Sequence, residues 1–370
     1  MASRFLVLVT SAVAAVLLAG TPSPAAEWTG LFDVAMRREA LQRPEMETIR
    51  SACLAEQVDP QWRFMEPIAG LKATEGYGSD NSAEDFSWAV MVLSGRVLAG
   101  DDMAERALRA LLLSFARADA FGQTEESYDP YYALKRQLLP LTVAYSILAP
   151  ELAARDADVL RDWLDPLVRR IDRLFDREVD RNNHRTLADS VLATWGSIVG
   201  DQAMVTRALA HYGTVLAEVR ADGTLPLEAR RGSRALWYQR QTLASLTVMA
   251  EVASGLGQDL YGSRSETGQE FATLLGALLD GLRSPVLVAV YSAENHIPGP
   301  ERDFLALDTS FLDVRGHGRH YMAFAEAARQ GGNGLSFERL NGLFDREIAP
   351  ERPLIDEFSG GNATCFWGQP

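Results

Sequence analysis

Residues 83–117 read AEDFSWAVMVLSGRVLAGDDMAERALRALLLSFAR. Apolar side chains recur at Phe86, Val90, Leu93 and Val97, then at Leu108, Leu111, Leu112 and Phe115, the three-to-four spacing that lines one face of an α-helix. Between the two runs stands Gly100-Asp101, which signals the end of one helix and the cap of the next. The stretch therefore predicts a helix hairpin. Similar patterns continue through Tyr132–Leu148, Val159–Phe175, Thr186–Val199, Met204–Val219 and Arg234–Leu256, punctuated by Pro150-Glu151, Gly200-Asp201 and Asp222-Gly223. Alternating strand patterns are scarce, and the best candidate for a β or buried segment is Ser284–Tyr291. Short connections between helices of similar length predict an all-α protein of antiparallel hairpins arranged around an axis, although no repeat of fixed period is visible.

Before the first helical pattern, Met1–Ala25 carries Arg4, an apolar run from Phe5 to Leu18 and the small-residue tract Ser23-Pro24-Ala25, the three-part layout of a secretory signal peptide. The run is too short to span a bilayer, and no cysteine follows it as a lipid attachment point. The expectation is a released periplasmic protein without membrane insertion, its residues 26–370 forming one domain with a less regular part beyond Arg283. Export leaves Cys53 and Cys365 free to oxidise. Whether they pair or stay as thiols is not decided by spacing.

The chain has 370 residues, with 50 acidic side chains against 36 Lys and Arg and a net charge of −14. That balance argues against nucleic acid as a partner, because such binding is driven by a basic surface. At first it disfavours a polyanionic substrate too, but binding follows the potential in a cleft rather than the total charge. Between Arg220 and Arg240 there are Arg220, Arg230, Arg231, Arg234 and Arg240 against Asp222 and Glu228, and Arg181 and Arg185 extend the tract. A basic groove on an acidic body is the expectation. The phosphate-loop, HExxH, CxxC and GxSxG patterns are all missing from the sequence, so no cofactor is assigned. His317 and His320 have the spacing of two ligands on a helix, but no acidic or cysteine partner stands at ligand distance in the sequence, and no metal is assigned either.

The chemistry concentrates between Arg181 and Gln241. Arg181-Asn182-Asn183-His184-Arg185 opens a predicted helix, where asparagine is a common cap. Two amides, an imidazole and two guanidiniums within five residues suit a carboxylate. Downstream, Arg230-Arg231-Gly232-Ser233-Arg234-Ala235-Leu236-Trp237-Tyr238 places Arg231 and Tyr238 seven residues apart, on one face if both are helical. Arginine grips a carboxylate bidentately, and a tyrosine beside it is placed to move a proton.

Asn182-Asn183-His184, then Asp222-Gly223-Thr224-Leu225-Pro226-Leu227-Glu228, then Arg230-Arg231 and Arg234-Ala235-Leu236-Trp237-Tyr238 resemble the periplasmic mannuronate-type alginate lyases. The resemblance covers about sixty residues, and its three blocks stand in the family's order and spacing. It implies an (α/α) toroid, acting as a monomer on an anionic polysaccharide. The implied reaction is β-elimination in a uronic-acid polymer, with loss of the C5 proton and expulsion of the sugar on O4. The slow point is C5 acidity, since a carboxylate already negative must take on more charge; positioned donors lower that barrier. By the resemblance, Asn183, His184 and Arg231 neutralise the carboxylate and Tyr238 is base, acid or both. Where anti elimination is required, His184 is the base and Tyr238 protonates the leaving oxygen.

Lys72, followed by Gly78-Ser79-Asp80, is similar to a substrate-contacting lysine of the family, and Lys135 is similar to a family helix position. With Arg234 and Arg185 they make up the expected substrate-binding set. Tyr128, Tyr131, Tyr132, Trp195 and Trp237 line a sugar groove or fill the core. The chain departs from the family at Arg185-Thr186-Leu187, where a tryptophan is expected third, at Leu227 in place of an asparagine, and at Gln241 in place of a tyrosine. These departures keep polyglucuronate open as an alternative substrate. A non-catalytic polymer-binding protein and a helical glycoside hydrolase using a pair such as Asp80 and Glu84 are the other readings.

Overall fold

A computed structural model describes residues 29–75, 79–174, 181–294 and 307–370. The expected export signal and Gly78 lie outside them. The helices are α1 Val34–Leu41, α2 Glu47–Cys53, α3 Glu84–Leu98, α4 Asp102–Arg117, α5 Tyr128–Leu148, α6 Ala154–Ile171, α7 Asn183–Val199, α8 Gln202–Glu218, α9 Pro226–Ala229, α10 Ala235–Gly255, α11 Phe271–Arg283, α12 Pro285–Glu294, α13 Ala325–Ala328, α14 Leu335–Leu343 and α15 Ala363–Trp367. The hairpin turns are built as the sequence reading expects. Asp101 accepts the N–H groups of Met103 and Ala104, Asp201 accepts that of Met204, and Gly100 and Gly200 take the positive φ that ends the preceding helix.

The hairpins form two layers. α3, α5, α7 and α10 pack on one another in that order, while α4, α6, α8 and α11 lie outside them. Burial separates the layers. α5, α7 and α10 are covered along most of their length, including polar positions such as Thr142, Ser190, Thr194 and Ser245. α4 and α6 bury one stripe, Ala104, Leu108, Leu111, Leu112 and Phe115 in the first and Leu160, Trp163, Leu164, Leu167 and Ile171 in the second. Because each inner helix is followed by an outer one running back, the inner helices share a direction and their N-termini gather at one end.

The chain ends close this arc. Cys53 on α2 and Cys365 on α15 form a disulfide, with Cα atoms 5.5 Å apart across 312 residues of sequence. Arg37 on α1 is buried and donates to the carbonyls of Cys365 at 2.6 Å, Gly368 at 2.8 Å and Thr364 at 3.2 Å. A side chain at Gly95 on α3 would put its Cβ 2.7 Å from Asn362 Nδ2 and 2.9 Å from Cys365 Sγ, so this glycine lets the C-terminal segment seat against α3. Two short antiparallel pairs complete the fold, β1 Val314–Arg315 with β2 Arg319–His320, and β3 Ile355–Asp356 with β4 Gly361–Asn362. One contiguous core runs from Leu31 to Trp367.

Ser284–Tyr291 is not a strand. Pro285 begins α12, where proline's fixed φ is tolerated and its missing N–H costs nothing. Val288 and Ala289 are buried, whereas Val286, Leu287 and Val290 stay exposed, so a short apolar run misleads about period. His317 and His320 are not on a helix either. His317 meets Asp85 at 2.6 Å at the tip of the β1–β2 hairpin, while His320 is buried in β2 and accepts the Met322 N–H at 3.2 Å. Among the described residues no group of three ligand-type side chains is placed to hold a metal ion. No described helix is long and apolar enough to cross a membrane.

Replacing Cys365 with serine removes a bond that closes a very long loop, and the expected loss of stability is roughly 2–5 kcal/mol. Chemical denaturation of the variant beside the oxidised wild type measures it. An unchanged midpoint would contradict the clasp.

Candidate active site

The site is assembled at the gathered N-termini of the inner helices. Asn182 caps α7 in an extended conformation, its Oδ1 accepting the His184 N–H at 2.9 Å. The next residue is held at both ends. The Asn183 backbone N–H donates to Glu228 Oε1 at 2.7 Å, and its side-chain Nδ2 donates to Gln241 Oε1 on α10 at 2.5 Å. Asn183 is 1% exposed. His184 stacks on the ring of Tyr132 from α5, centroids 4.2 Å apart and planes 14° apart. Lys135, one turn further along α5, donates its Nζ to the His184 carbonyl at 2.8 Å.

The turn at 222–231 supplies the arginine. Asp222 Oδ1 accepts from the Thr224 N–H and hydroxyl, and Gly223 sits at φ 82°. A Cβ on Gly223 would lie 2.5 Å from the Thr273 carbonyl oxygen, so only glycine fits this turn against α11. Pro226 starts α9, and Glu228 is carried inward, where it also accepts from the Thr242 hydroxyl at 3.3 Å. The Arg231 guanidinium then lies 4.0 Å from the centre of the Tyr238 ring. The expected meeting of Arg231 and Tyr238 occurs, although a 3-10 turn at Gly232–Arg234 separates Arg231 from α10 rather than two turns of one helix.

Burial and cations set the charge states. His184 is held well below the ordinary imidazole range, first by loss of hydration and then by the positive charges of Lys135 and Arg231. Its ring is therefore neutral. Burial pushes Glu228 up to about 7, against the opposing effects of the Asn183 N–H, its own N–H, Arg231 and Thr242. Tyr132 is pushed up to about 12, again mainly by burial. The result is a cluster of a neutral imidazole, two cations and buried amides, chemistry that complements a carboxylate.

A wall of charge and aromatic rings continues from this cluster. Trp237 meets Tyr321 and Phe311 edge-on at 4.9 and 5.6 Å, with Arg315 5.6 Å from its ring. Beneath lie Arg136, which forks onto Glu357 at 2.6 and 2.9 Å, and Arg240, fully buried, which meets Asp356 at 3.3 Å. Arg319 stands 3.6 Å from both Glu84 and Glu357. This buried network fixes β2 and the β3–β4 hairpin against α5 and α10.

Not every expected residue joins the cluster. Arg185 turns away from it, because two residues along α7 rotate a side chain by about 200°. Only 5% exposed, it forks onto Asp189 at 2.6 and 3.0 Å and reaches Asp172 at 3.0 Å, with His211 on the same Asp189 at 2.8 Å. It is a structural ion pair, not part of a basic groove. Lys135 has 0% exposure and acts from beneath His184, so it is not positioned on the surface a polymer would touch. Lys72 is exposed, and its backbone N–H donates to Asp80 Oδ2 at 2.9 Å. Arg234 stands half-exposed at the start of α10, 4.0 Å from Asp308. Tyr131 and Trp195 are core, whereas Tyr132 is part of the site. Asp80 and Glu84 are engaged elsewhere, Asp80 by the N–H groups of Lys72 and Ser82, Glu84 by Arg136 and Arg319. Gln241 and Glu228 gain roles that motif reading did not assign. Gln241 lies three residues after Tyr238, and that helical spacing was the available signal.

Residues 139–287 match the family model described as alginate lyase. Over that segment the chain is similar to the alginate lyases. A polysaccharide lyase of Stenotrophomonas maltophilia is 30% identical over 170 residues, covering 45% of this chain and 50% of that protein. An alginate lyase of Pseudomonas syringae pv. syringae is 28% identical over 193 residues, covering 50% of each. The chain thus matches about half the length of these curated relatives. Among solved structures, alginate lyase A1-III from Sphingomonas species A1 superposes with a TM-score of 0.72 at 20% identity, covering 92% of this chain and 96% of that one. A histidine-to-alanine variant of A1-III complexed with tetrasaccharide gives 0.73 at 20% identity over 95% and 98%. The shared fold is the (α/α) toroid expected from the motifs. Asn183, His184, Arg231, Tyr238 and Gln241 fall inside the segment that matches the alginate lyase family, while Lys72, Tyr132 and Lys135 fall outside it.

Glu228 also makes stability depend on pH. A carboxyl raised to about 7 in the folded state favours folding of its protonated form, so stability falls as pH rises from the ordinary carboxylate range through 7. Glu251, near the other end of α10 and also raised to about 7, adds to the same slope. Glu228→Gln is expected to flatten, but not abolish, the decline of the denaturation midpoint between pH 5 and 8. An unchanged slope would contradict the dominance of burial over the hydrogen bonds and Arg231 at Glu228.

Proposed function

We propose that this chain is a polysaccharide lyase that cleaves an alginate-like uronic-acid polymer by β-elimination. The observation that carries the reading is the joint placement of Arg231 on Tyr238 with Asn183 and a neutral His184 at the converging helix ends. A uronate carboxylate entering there meets the Arg231 guanidinium and amide donors, which withdraw charge as C5 loses its proton. The C5–H electron pair becomes the C4=C5 double bond, the C4–O4 bond breaks, and O4 leaves with a proton. For a syn arrangement of C5–H and C4–O4, Tyr238 takes the first proton and returns one to O4. For an anti arrangement, His184 takes the proton and Tyr238 supplies the other, a step for which a neutral ring is required.

Polymannuronate is the substrate the family likeness favours. Leu187 lies in the core, so of the departures named above Gln241, where an aromatic is expected, is the one beside Asn183 that leaves polyglucuronate as a second substrate. The reading includes export through the leader at 1–25 and action as a monomer outside the cytoplasm, where such polymers are found.

Incubation of the purified chain with polymannuronate, polyguluronate, polyglucuronate and hyaluronan, followed by ultraviolet absorbance of the unsaturated uronate, tests the activity. Growth of that absorbance on at least one polymer is expected. Tyr238→Phe is expected to lower kcat by about 100- to 10,000-fold with a smaller change in KM. A folded wild type without activity on any of the four would refute the lyase reading, and a fully active Tyr238→Phe would refute the proton-transfer role.

A further inference from the structure

Gln241 lies one turn beyond Tyr238 on α10, on the same face of the helix. Its Oε1 accepts two hydrogen bonds, from Asn183 Nδ2 at 2.5 Å and from the Tyr132 hydroxyl at 3.4 Å. Two donors converging on one oxygen fix the orientation of the amide and hold Nε2 on its other side. The side chain is 7% exposed. Nε2 has no hydrogen-bond partner among the described residues, yet it is not sealed away from solvent as Gln137 Oε1 and Asn362 Nδ2 are. An oriented, largely buried amide whose oxygen is taken by Asn183 and Tyr132 leaves its donor end for an acceptor carried by a ligand.

We propose that Gln241 is a substrate-contacting residue, its Nε2 donating to the uronate carboxylate beside Asn183, so that amides from α7 and α10 grip the same group. The inference rests on the lyase reading above. A carboxylate offers two oxygens with several lone pairs and accepts from adjacent donors without competition between them. Gln241 thereby has two functions, an acceptor end that steadies Asn183 and a donor end that reaches the sugar. Where the family likeness expects a phenol, this chain presents a planar amide, which changes the donor and the room available to the uronate.

Gln241→Glu separates the two ends. It is nearly isosteric and keeps an acceptor for Asn183 and Tyr132, but replaces the open donor with an anionic oxygen. Gln241→Leu removes both ends. Binding of a short mannuronate oligomer is measured by titration calorimetry beside turnover, with thermal midpoints confirming that the variants fold. Gln241→Glu is expected to bind at least about tenfold more weakly than wild type and to lose kcat/KM to a similar or greater extent. Wild-type binding and turnover by Gln241→Glu would overturn the proposal, because only the acceptor end would then matter. If that variant does not fold, Gln241→Leu is read in its place, and wild-type oligomer binding there overturns the proposal equally. Failure of the lyase reading looks different: a wild type that binds oligomer without cleaving it leaves Gln241 testable, and one that does neither removes both.

Discussion

The inner helices of the toroid run in one direction, and that constraint organises everything at the site. A helix begins with backbone N–H groups that have no partner within the helix, and its dipole leaves partial positive charge there. When α5, α7 and α10 bring their first turns together, the chain must satisfy those donors and balance that charge locally. At α7, Asn182 and Glu228 serve the first need by accepting the His184 and Asn183 N–H groups, and the Asn183–Gln241 side-chain contact ties α7 to α10. Positive charge at the site is increased by Lys135 and Arg231, and His184 stays neutral beside them. Such a setting suits the uronate carboxylate of the proposed substrate. The catalytic reading therefore follows from the direction of the helices as much as from the identity of four residues.

Net charge is a poor guide to such a site. The acidic side chains that make the chain −14 are spread over its length, while the cations that matter are few and held in place. Arg136, Arg240 and Arg319 are tied into the buried network with Glu84, Asp356 and Glu357, which joins β2 and the β3–β4 hairpin to α5 and α10. The disulfide and Arg37 do the same for the ends of the chain. These clamps hold the late part of the sequence against the helices that carry the chemistry, and Trp237 and Tyr321 meet where it passes over α10.

Much of this was legible in the sequence for identifiable reasons. Helices α3 to α8 and α10 were readable because apolar spacing and Gly-Asp punctuation agree with one another. Asn183, His184, Arg231 and Tyr238 were readable as one set because three short motifs stand in order. Other features depend on facts that spacing does not contain. Arg185 sits beside His184 in sequence, yet helical rotation sends it to Asp189. Lys135 is a cation of the site only because α5 passes beneath α7. α12 was mistaken because ten residues with β-branched side chains and a proline at the first position do not declare their period. Gln241 looked like a lost tyrosine, and only the approach of α10 to α7 reveals its contact with Asn183. The pairing of Cys53 with Cys365 likewise needs the ends of the arc to meet.

The central claim is that burial and the charges of Lys135 and Arg231 hold His184 neutral and ready to take a proton, and that an anionic sugar binds against these charges. An NMR-monitored pH titration of the His184 ring, with and without a saturating uronate oligomer in the catalytically impaired Tyr238→Phe variant, tests it directly. The account predicts a ring in the free protein that stays neutral to well below pH 6.5, with its titration moving upward when the oligomer binds. A ring that titrates near 6.5 in the free protein and does not respond to the oligomer would contradict it.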